Sequence, residues 1–452
     1  TSTSTNTFYI SCCKKGEVDI ELLREPPAFL KDLYDNQQAS GKEFRRNIRK
    51  YNSAFAFNSI RCDRPNASES YMPFQIQGQM CHVQGPLTTD NGAEARYSQL
   101  YLYDPQSAGT ERCNNNDQEL NDVTIRNITI ELHEVNTLVR LYRSAYEGLS
   151  AAASTRQDNV SVRVTPSLEI ELISGRNRRT ENLPTSNEVA MIIGNETSDA
   201  GFRDLRIYLR NSSTEFTYTT ISPNHAMYMP SHYTLMFPHG NMGWNWGLRL
   251  RDTQDKCDRL KKLMYNRFRL HQRDGEYPII FKAGRLYQQY LVDIWAVCDQ
   301  NKLNWFRREQ RKIRADLYGG LEDALISADF DANARGRMIL PSSYTGGPRF
   351  MAKLYQNSMA IVRHLGKPSL FITFTANPNW SEITSIIRPQ NQSASDRPDL
   401  VSRVFNLKVK ELLHDIKVKK IFGSYKGLVR TVEYQKRGLP HVHILLFIGH
   451  EH

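Results

Sequence analysis

The 452-residue sequence predicts an α+β protein, with mixed N-terminal and central regions before a domain built on an antiparallel sheet flanked by helices. Strict alternation of apolar and polar residues at 160–173 and 205–210 predicts half-buried antiparallel strands. Apolar residues spaced three and four apart predict helices from Gly284 and at 400–416. The C-terminal sheet is predicted from three β-branched and aromatic runs at 369–375, 427–434 and 441–448.

The composition is that of a globular chain, with 40% hydrophobic and 24% charged residues. No apolar run approaches the roughly 18 residues that a membrane helix requires, so no membrane partner is expected. The formal net charge of +11 suits a polyanionic partner such as nucleic acid. Seven scattered cysteines argue against a disulfide framework and for a reducing compartment.

Three regions are expected, at 1–120, 121–335 and 336–452. The first is predicted to be irregular, with Pro26-Pro27 and a basic stretch at 45–50. We suspect from the first and last residues that the sequence is a fragment.

The central region is predicted to begin with a strand at 122–132 and a helix that buries three apolar side chains spaced three and four apart. Those three are Leu138, Leu141 and Tyr142. The polar segment 179–188 predicts a loop between the later strands. The helix from Gly284 is expected to reach about residue 325, with a break at Gly319-Gly320.

The middle of this long helix, 301–320, combines basic and aromatic side chains, which can grip phosphates and stack on bases. The alternative is an amphipathic helix with core aromatics and solvated charges, and one helix can do both. The candidate DNA contacts here are Trp305, Arg307, Arg308, Arg311, Lys312 and Arg314.

The hairpin predicted at 427–448 carries the clearest candidate site. His441 and His443 are two residues apart on one strand, so their side chains share a face while Val442 points to the opposite one. Two such imidazoles form half of a divalent-metal site, whose third ligand is usually a carboxylate or amide from a neighbouring strand. Glu433 is the first candidate and Gln435 the second. Alternatively, both histidines bond backbone carbonyls and have a purely structural role.

The hairpin segment reads YQKRGLPHVHILLF (434–447). It closely resembles the signature of the N-terminal region of Helitron transposases, the replication-initiator part of eukaryotic rolling-circle transposons. Other segments of the sequence resemble that region in the family's order. Further similar blocks are at 12–20, 44–60, 232–246, 284–297, 303–325, 340–351, 368–380 and 396–405.

The resemblance implies an HUH endonuclease, named for two histidines flanking a hydrophobic residue. In that family a divalent ion, Mg²⁺ or Mn²⁺, polarises a phosphate of single-stranded DNA, which a tyrosine attacks to leave a 5′-phosphotyrosine. Carried over to this sequence, His441 and His443 are metal ligands, with Glu433 or Gln435 completing the set. The resemblance also implies DNA contacts at Thr373, Thr375, Asn377, Trp380, Lys436 and Arg437.

The sequence also departs from the family pattern. The paired nucleophilic tyrosines are expected downstream of residue 452, so the initiator domain is expected to be incomplete here. Tyr287 and Tyr290 have the wrong spacing for them and are predicted to be core residues. Ala376 replaces a common Cys, and Ser358 a common Asp.

The resemblance extends to other parts of the full-length protein. Cys12-Cys13 resemble the end of the family's zinc module, whose other ligands are missing from this sequence, so Zn²⁺ binding there is in doubt. The sequence contains no phosphate-loop motif, so the family's C-terminal helicase is expected in the full-length protein outside this segment. Transposon ends as substrate and a nuclear location follow from the family alone.

Two other functions remain open. One is a truncated or decayed transposon remnant that binds DNA without cleaving it. The other is a structural protein whose histidines lie in the core.

Overall fold

The computed structural model describes most of the chain. The described residues are 13–63, 77–89, 94–115, 120–154, 161–165, 170–173, 205–209, 219–251, 259–310, 312–313, 339–435 and 438–449. By their contacts they form two compact units, one up to Ile294 and one from Trp295 onward. The finer three-part division expected from the sequence stays a prediction.

The first unit contains helices α1 to α8 and the start of α9. Their bounds are α1 Ala28–Asp35, α2 Ala39–Arg46, α3 Ile48–Phe55, α4 Pro105–Asn114, α5 Asp122–Val135, α6 Thr137–Ser154, α7 Lys262–Arg269, α8 Ile279–Lys282 and α9 Gly284–Arg308. Short 3₁₀ helices occur at Lys14–Gly16 and Tyr97–Tyr101. The described part of the first 120 residues is thus far more regular than expected.

The described residues of this unit form two small antiparallel sheets. Their strands are β1 Ser59–Asp63, β2 Gln77–Gln84, β3 Ser161–Val164, β4 Ile170–Ile173, β5 Leu205–Tyr208 and β6 Thr219–Ile221. The strand orders are β1-β2-β6 and β4-β3-β5. The second sheet confirms the strands predicted from alternation at 161–164, 170–173 and 205–208. The predicted loop at 179–188 lies outside the described residues.

The strand predicted at 122–132 is wrong, because this segment is helix α5. Asn121 caps the helix by accepting a hydrogen bond from the backbone N–H of Thr124 at 3.0 Å. The buried positions Ile125, Ile128 and Leu132 follow the spacing of a helix face. Isoleucine and threonine made the segment look like a strand, but tertiary packing overrode their β propensity. The helix predicted to follow is confirmed as α6, which buries Leu138, Leu141 and Tyr142.

Helix α9 begins at Gly284 as predicted but ends at Arg308, well before residue 325. Residues 314–338 lie outside the described part of the chain. Tyr287 and Tyr290 are 0% and 1% exposed, which confirms that both are core residues. Trp295 of the same helix, in contrast, is 62% exposed.

The second unit carries the predicted C-terminal sheet. Its further elements are α10 Pro348–Leu365, β7 Leu370–Thr375, α11 Ser381–Ile387, α12 Pro398–Lys417, β8 Tyr425–Tyr434 and β9 Pro440–Ile448, with short 3₁₀ helices at Arg388–Gln390 and Ala394–Asp396. The strand order is β7-β9-β8 with antiparallel pairing throughout, so β9 is the central strand. The α+β fold class is confirmed.

Helices flank both faces of this sheet. On one face α12 contributes Val401, Val404 and Phe405 to a core that also holds Val442 and Ile444 of β9. On the other face Leu365, at the end of α10, lies so close to Gly427 that a Cβ there would collide with its Cδ1. No helix within the described ranges is both long and apolar enough to cross a membrane.

Candidate metal centre

The β8–β9 hairpin positions the two histidines. In its register Glu433 is paired with His441, and Thr431 with His443. Val442 and Ile444 are fully buried in the core beneath the sheet. Because side chains alternate along a strand, His441 and His443 share the opposite face, as predicted.

Three donor groups meet on this face. Glu433 Oε2 lies 3.5 Å from His441 Nε2 and 4.0 Å from His443 Nε2. One ligand atom from each residue lies within 4.8 Å of the other two, the one such cluster of His, Cys, Asp or Glu among the described residues. The side chains of Glu433, His441 and His443 are 56%, 12% and 27% exposed. The two imidazoles are therefore largely shielded from solvent, while the carboxylate is open to it.

Strand β7 holds His443 from the other side. Thr373 is paired with His443, and a hydrogen bond of 2.9 Å joins its Oγ1 to His443 Nδ1. When Nδ1 carries the proton and donates it to Thr373, the lone pair of Nε2 is free and points toward Glu433. His441 Nδ1 is buried and lacks a hydrogen-bond partner among the described groups.

The donor set suits a divalent ion. Two imidazole nitrogens and one carboxylate oxygen are ligands that Mn²⁺ and related ions accept, and they leave positions open for water and substrate. Ligands held at about 2.1 Å from one ion lie roughly 3 to 4 Å apart, which matches the separations from Glu433. A hydrogen bond to the far nitrogen of a ligating histidine is the usual support, and Thr373 provides it for His443.

The second candidate ligand, Gln435, follows directly after β8, two residues beyond Glu433. Its backbone N–H donates to Leu439 O, and its carbonyl accepts from Gly438 N–H, so its main chain forms the hairpin turn. The structure therefore brings Glu433 to the histidines through strand register and places Gln435 in the turn.

Other residues predicted beside the site fall on both faces of the sheet. Thr375 is paired with His441 and is exposed on the histidine face. Asn377 Oδ1 accepts from the Asn379 backbone N–H and stabilises the turn after β7. Trp380 stacks on Phe374 at 5.9 Å and packs against the core on the α12 side. Lys436 and Arg437 lie outside the described residues.

The described basic residues near the end of α9 are exposed. Trp305 is 51% exposed, and Arg307 and Arg308 are exposed beside it. Lys312 forms an ion pair with Glu309 at 2.6 Å. Phe306, in contrast, is buried and packs edge-on against Tyr344. Arg311 and Arg314 are not among the described residues.

Sequence reasoning missed several features. The sequence predicts Thr373 only as a DNA contact, although strand pairing makes it the hydrogen-bond partner of His443. Phe371 is not among the predicted site residues, yet its ring stacks on His443 at 5.3 Å and 14°. Alternation along LFITFT places Phe371 and Thr373 on one face, a signal available from the sequence. The exposed Trp295, with Lys302 Nζ 5.6 Å from its ring centroid, was also missed.

Among the described residues, Cys13 belongs to no comparable cluster of possible ligands. Cys13 is half-buried and packs against a small core that includes Val18 and Leu260. Cys12 lies outside the described residues, so the structure does not test the zinc binding that the sequence leaves in doubt.

Comparison with known families gives one finding. Residues 265–446 match the family described as the Helitron helicase-like domain at the N-terminus, a match that covers less than half of the chain and includes all of the metal-site candidates. No curated protein matches the chain.

Proposed function

We propose that the chain, whose residues 265–446 match the Helitron helicase-like domain at the N-terminus, is the N-terminal part of a rolling-circle transposase. In this proposal it binds single-stranded DNA at transposon ends and holds the metal site for nicking and rejoining a strand. The observation that carries the proposal is the meeting of Glu433, His441 and His443 on one open sheet face.

The bound ion, Mg²⁺ or Mn²⁺, would neutralise charge on the scissile phosphate and orient it for in-line attack. The chain's own residues form this site. His441 and His443 would coordinate the ion through Nε2, and the hydrogen bond with Thr373 fixes the orientation of the His443 ring. Glu433 adds a negative charge that favours a cation over a bound anion.

The nucleophile is assigned, from the family, to paired tyrosines downstream of the histidine motif. Tyr287 and Tyr290 are buried in the core of the first unit, and neither hydroxyl is presented to solvent for an attack on DNA. The phosphotyrosine ester conserves the energy of the broken bond, so the strand can be rejoined without ATP.

The exposed basic segment supports the DNA-binding part of the proposal. Trp305 offers a ring for base stacking, and Arg307 and Arg308 offer charges to phosphates. These residues require no metal. They therefore also support the second candidate function, a transposon remnant that binds DNA without cutting it.

The test is strand cleavage by a chain extended through the downstream tyrosines. With His441 and His443 both replaced by Ala, nicking of a labelled single strand in Mn²⁺ should be abolished while DNA binding persists. The matched control replaces two exposed helix histidines of the same unit, His364 and His414, and should cleave normally. Undiminished cleavage by the His441/His443 variant would refute the metal assignment. Absence of cleavage by the unsubstituted extended chain, with binding intact, would favour the remnant.

A further inference from the structure

An exposed aromatic ring adjoins the proposed metal site on the same sheet face. Phe371 of β7 is paired with Leu445, one side-chain row away from the Thr373–His443 pair. It is therefore a diagonal neighbour of His443, and the two rings are offset-stacked with planes 14° apart. The side chain is nonetheless 66% exposed, the most exposed phenylalanine among the large hydrophobic residues described.

Phe371 is exposed to solvent, whereas the next row of side chains on the same sheet face is buried. One row further along β9, Phe447 is 2% exposed, and Leu365 of α10 lies against its neighbour Gly427. The histidine face is thus covered at the α10 end and open from Phe371 to the metal ligands. A strand of DNA reaching the metal ligands along the open part of this face passes the ring of Phe371.

A phenyl ring exposed to this degree costs free energy in water and gains it when another flat apolar surface covers it. Nucleobases stack on aromatic side chains without requiring a particular sequence, because every base has a π face. Because one face of the Phe371 ring stacks on His443, a base can cover the opposite face.

We propose that Phe371 is the positioning residue that stacks an unpaired base next to the phosphate held at His441 and His443, and so selects single-stranded over double-stranded DNA. The inference rests on the proposed function and deepens it. A base inside a duplex is already stacked on both of its faces and paired along its edge, so it offers no free face to Phe371. An unpaired base does, and its stacking fixes which phosphate lies over the metal ligands.

The test uses the full 452-residue chain in EDTA, so that metal binding contributes nothing to the affinity. Phe371→Leu removes the ring but keeps an apolar side chain at an exposed position, while Phe371→Trp keeps a stacking surface. The control is Tyr434→Leu, which removes a similarly exposed aromatic from the α12 side of the sheet. Anisotropy titrations compare a labelled single strand of about 12 nucleotides with the corresponding duplex.

For Phe371→Leu we expect single-strand affinity to fall roughly 10-fold or more, with duplex affinity unchanged. Phe371→Trp and Tyr434→Leu should bind like the unsubstituted chain. Unchanged single-strand affinity in Phe371→Leu, or an equal loss for the duplex, would overturn the proposal.

A calorimetric titration with Mn²⁺ alone distinguishes base stacking by Phe371 from a purely structural role, in which Phe371 only holds His443 in place. The Phe371→Leu variant should keep Mn²⁺ affinity within about twofold of the unsubstituted chain. If Mn²⁺ affinity falls while single-strand binding in EDTA does not, Phe371 serves only to hold His443 and the proposal is wrong. Failure of the unsubstituted chain to bind Mn²⁺ would instead contradict the proposed function, whatever the EDTA titrations show.

Discussion

Glu433 and His441 are directly opposite each other in the β8–β9 pairing, and Glu433 Oε2 lies 3.5 Å from His441 Nε2. The same oxygen lies 4.0 Å from His443 Nε2. One carboxylate on an edge strand therefore faces two imidazoles of the central strand. In the proposed metal site Glu433 supplies the negative charge, so we expect the affinity for a cation to depend on it most directly.

Replacing Glu433 with Gln should weaken Mn²⁺ binding by at least about 10-fold, because the substitution removes the negative charge but keeps the shape of the side chain. Stability should hardly change, since the side chain is 56% exposed. Calorimetric titration with Mn²⁺ measures the effect. Glu411→Gln, an exposed carboxylate on α12, is the control and should bind as before. Equal affinities for both variants would remove Glu433 from the ligand set.

Replacing Thr373 with Val should lower Mn²⁺ affinity by about 10-fold, because His443 loses the 2.9 Å hydrogen bond that fixes its ring. Valine has nearly the volume of threonine and favours a strand, so the fold should be retained. The matched control is Thr375→Val on the same face of β7, opposite His441. If the Thr375 variant loses as much affinity as the Thr373 variant, the hydrogen bond is not the cause.

Replacing Arg307 and Arg308 with Gln should weaken single-strand binding and make it less sensitive to salt. Removing one arginine–phosphate ion pair reduces the slope of log K against log salt by roughly 0.7. Titrations at several salt concentrations measure this slope. Arg349 and Arg363, both exposed on α10, give a control with the same change in charge. A similar reduction in the control would show that net charge, rather than the α9 segment, determines binding.

The helical state of residues 122–135 can be tested by two substitutions that are expected to change the free energy of unfolding in opposite directions. Asn121→Ala removes the cap and should lower the free energy of unfolding by about 1 kcal/mol. Val123→Ala, at a 65% exposed position in the first turn, should raise it by a few tenths of a kcal/mol, since alanine is the better helix former. Urea denaturation measures both. Destabilisation by Val123→Ala is the result expected of a strand and would contradict the helix.

His133 should make the first unit less stable in acid. Burial, together with Arg112 and Arg143, lowers the pKa of His133 to about 3, and Arg143 donates a hydrogen bond to its Nδ1 at 3.1 Å. The folded pKa is below the unfolded value, so the stabilisation is present above the unfolded pKa near 6.5 and decreases below it. From about pH 7 to about pH 5 the loss is at most about 2 kcal/mol.

Denaturant titrations of the unsubstituted chain and of His133→Gln at both pH values test this. Burial also lowers the pKa of His232, so only the difference between the two proteins isolates His133. The variant should lose less stability on acidification. The same loss in both proteins would mean that His133 is protonated in the folded state or lies exposed.

Predictions from the sequence were most accurate for segments whose local pattern agreed with the tertiary packing. Alternation along β9 located Val442 in the core and both histidines on the other face, and the hairpin predicted their proximity to Glu433. Long-range pairing was harder to predict. The contact between Thr373 and His443 joins residues 70 positions apart, and its register is determined by the whole sheet rather than by either segment.

The errors have physical causes. At 122–132, alternating β-branched residues gave a strand pattern, although Ile125, Ile128 and Leu132 fit a helix face equally well. Short runs of this kind satisfy both periods, so only packing decides between them. In the N-terminal region, α1, α2 and α3 have eight residues each, too few for a clear periodic pattern, and are stabilised mainly by burial of side chains such as Phe44 and Tyr51.

The central position of β9 has a consequence for how the site can fail. A one-residue slip against either neighbour would turn both imidazoles into the apolar layer and put Val442 and Ile444 in water. Because β7 and β8 hold the strand from both sides, such a slip must break two ladders at once. A chain with a shifted β9 register should therefore remain unfolded and not reach a folded state with misplaced histidines. Every folded molecule should then carry both histidines on the sheet face that holds Glu433.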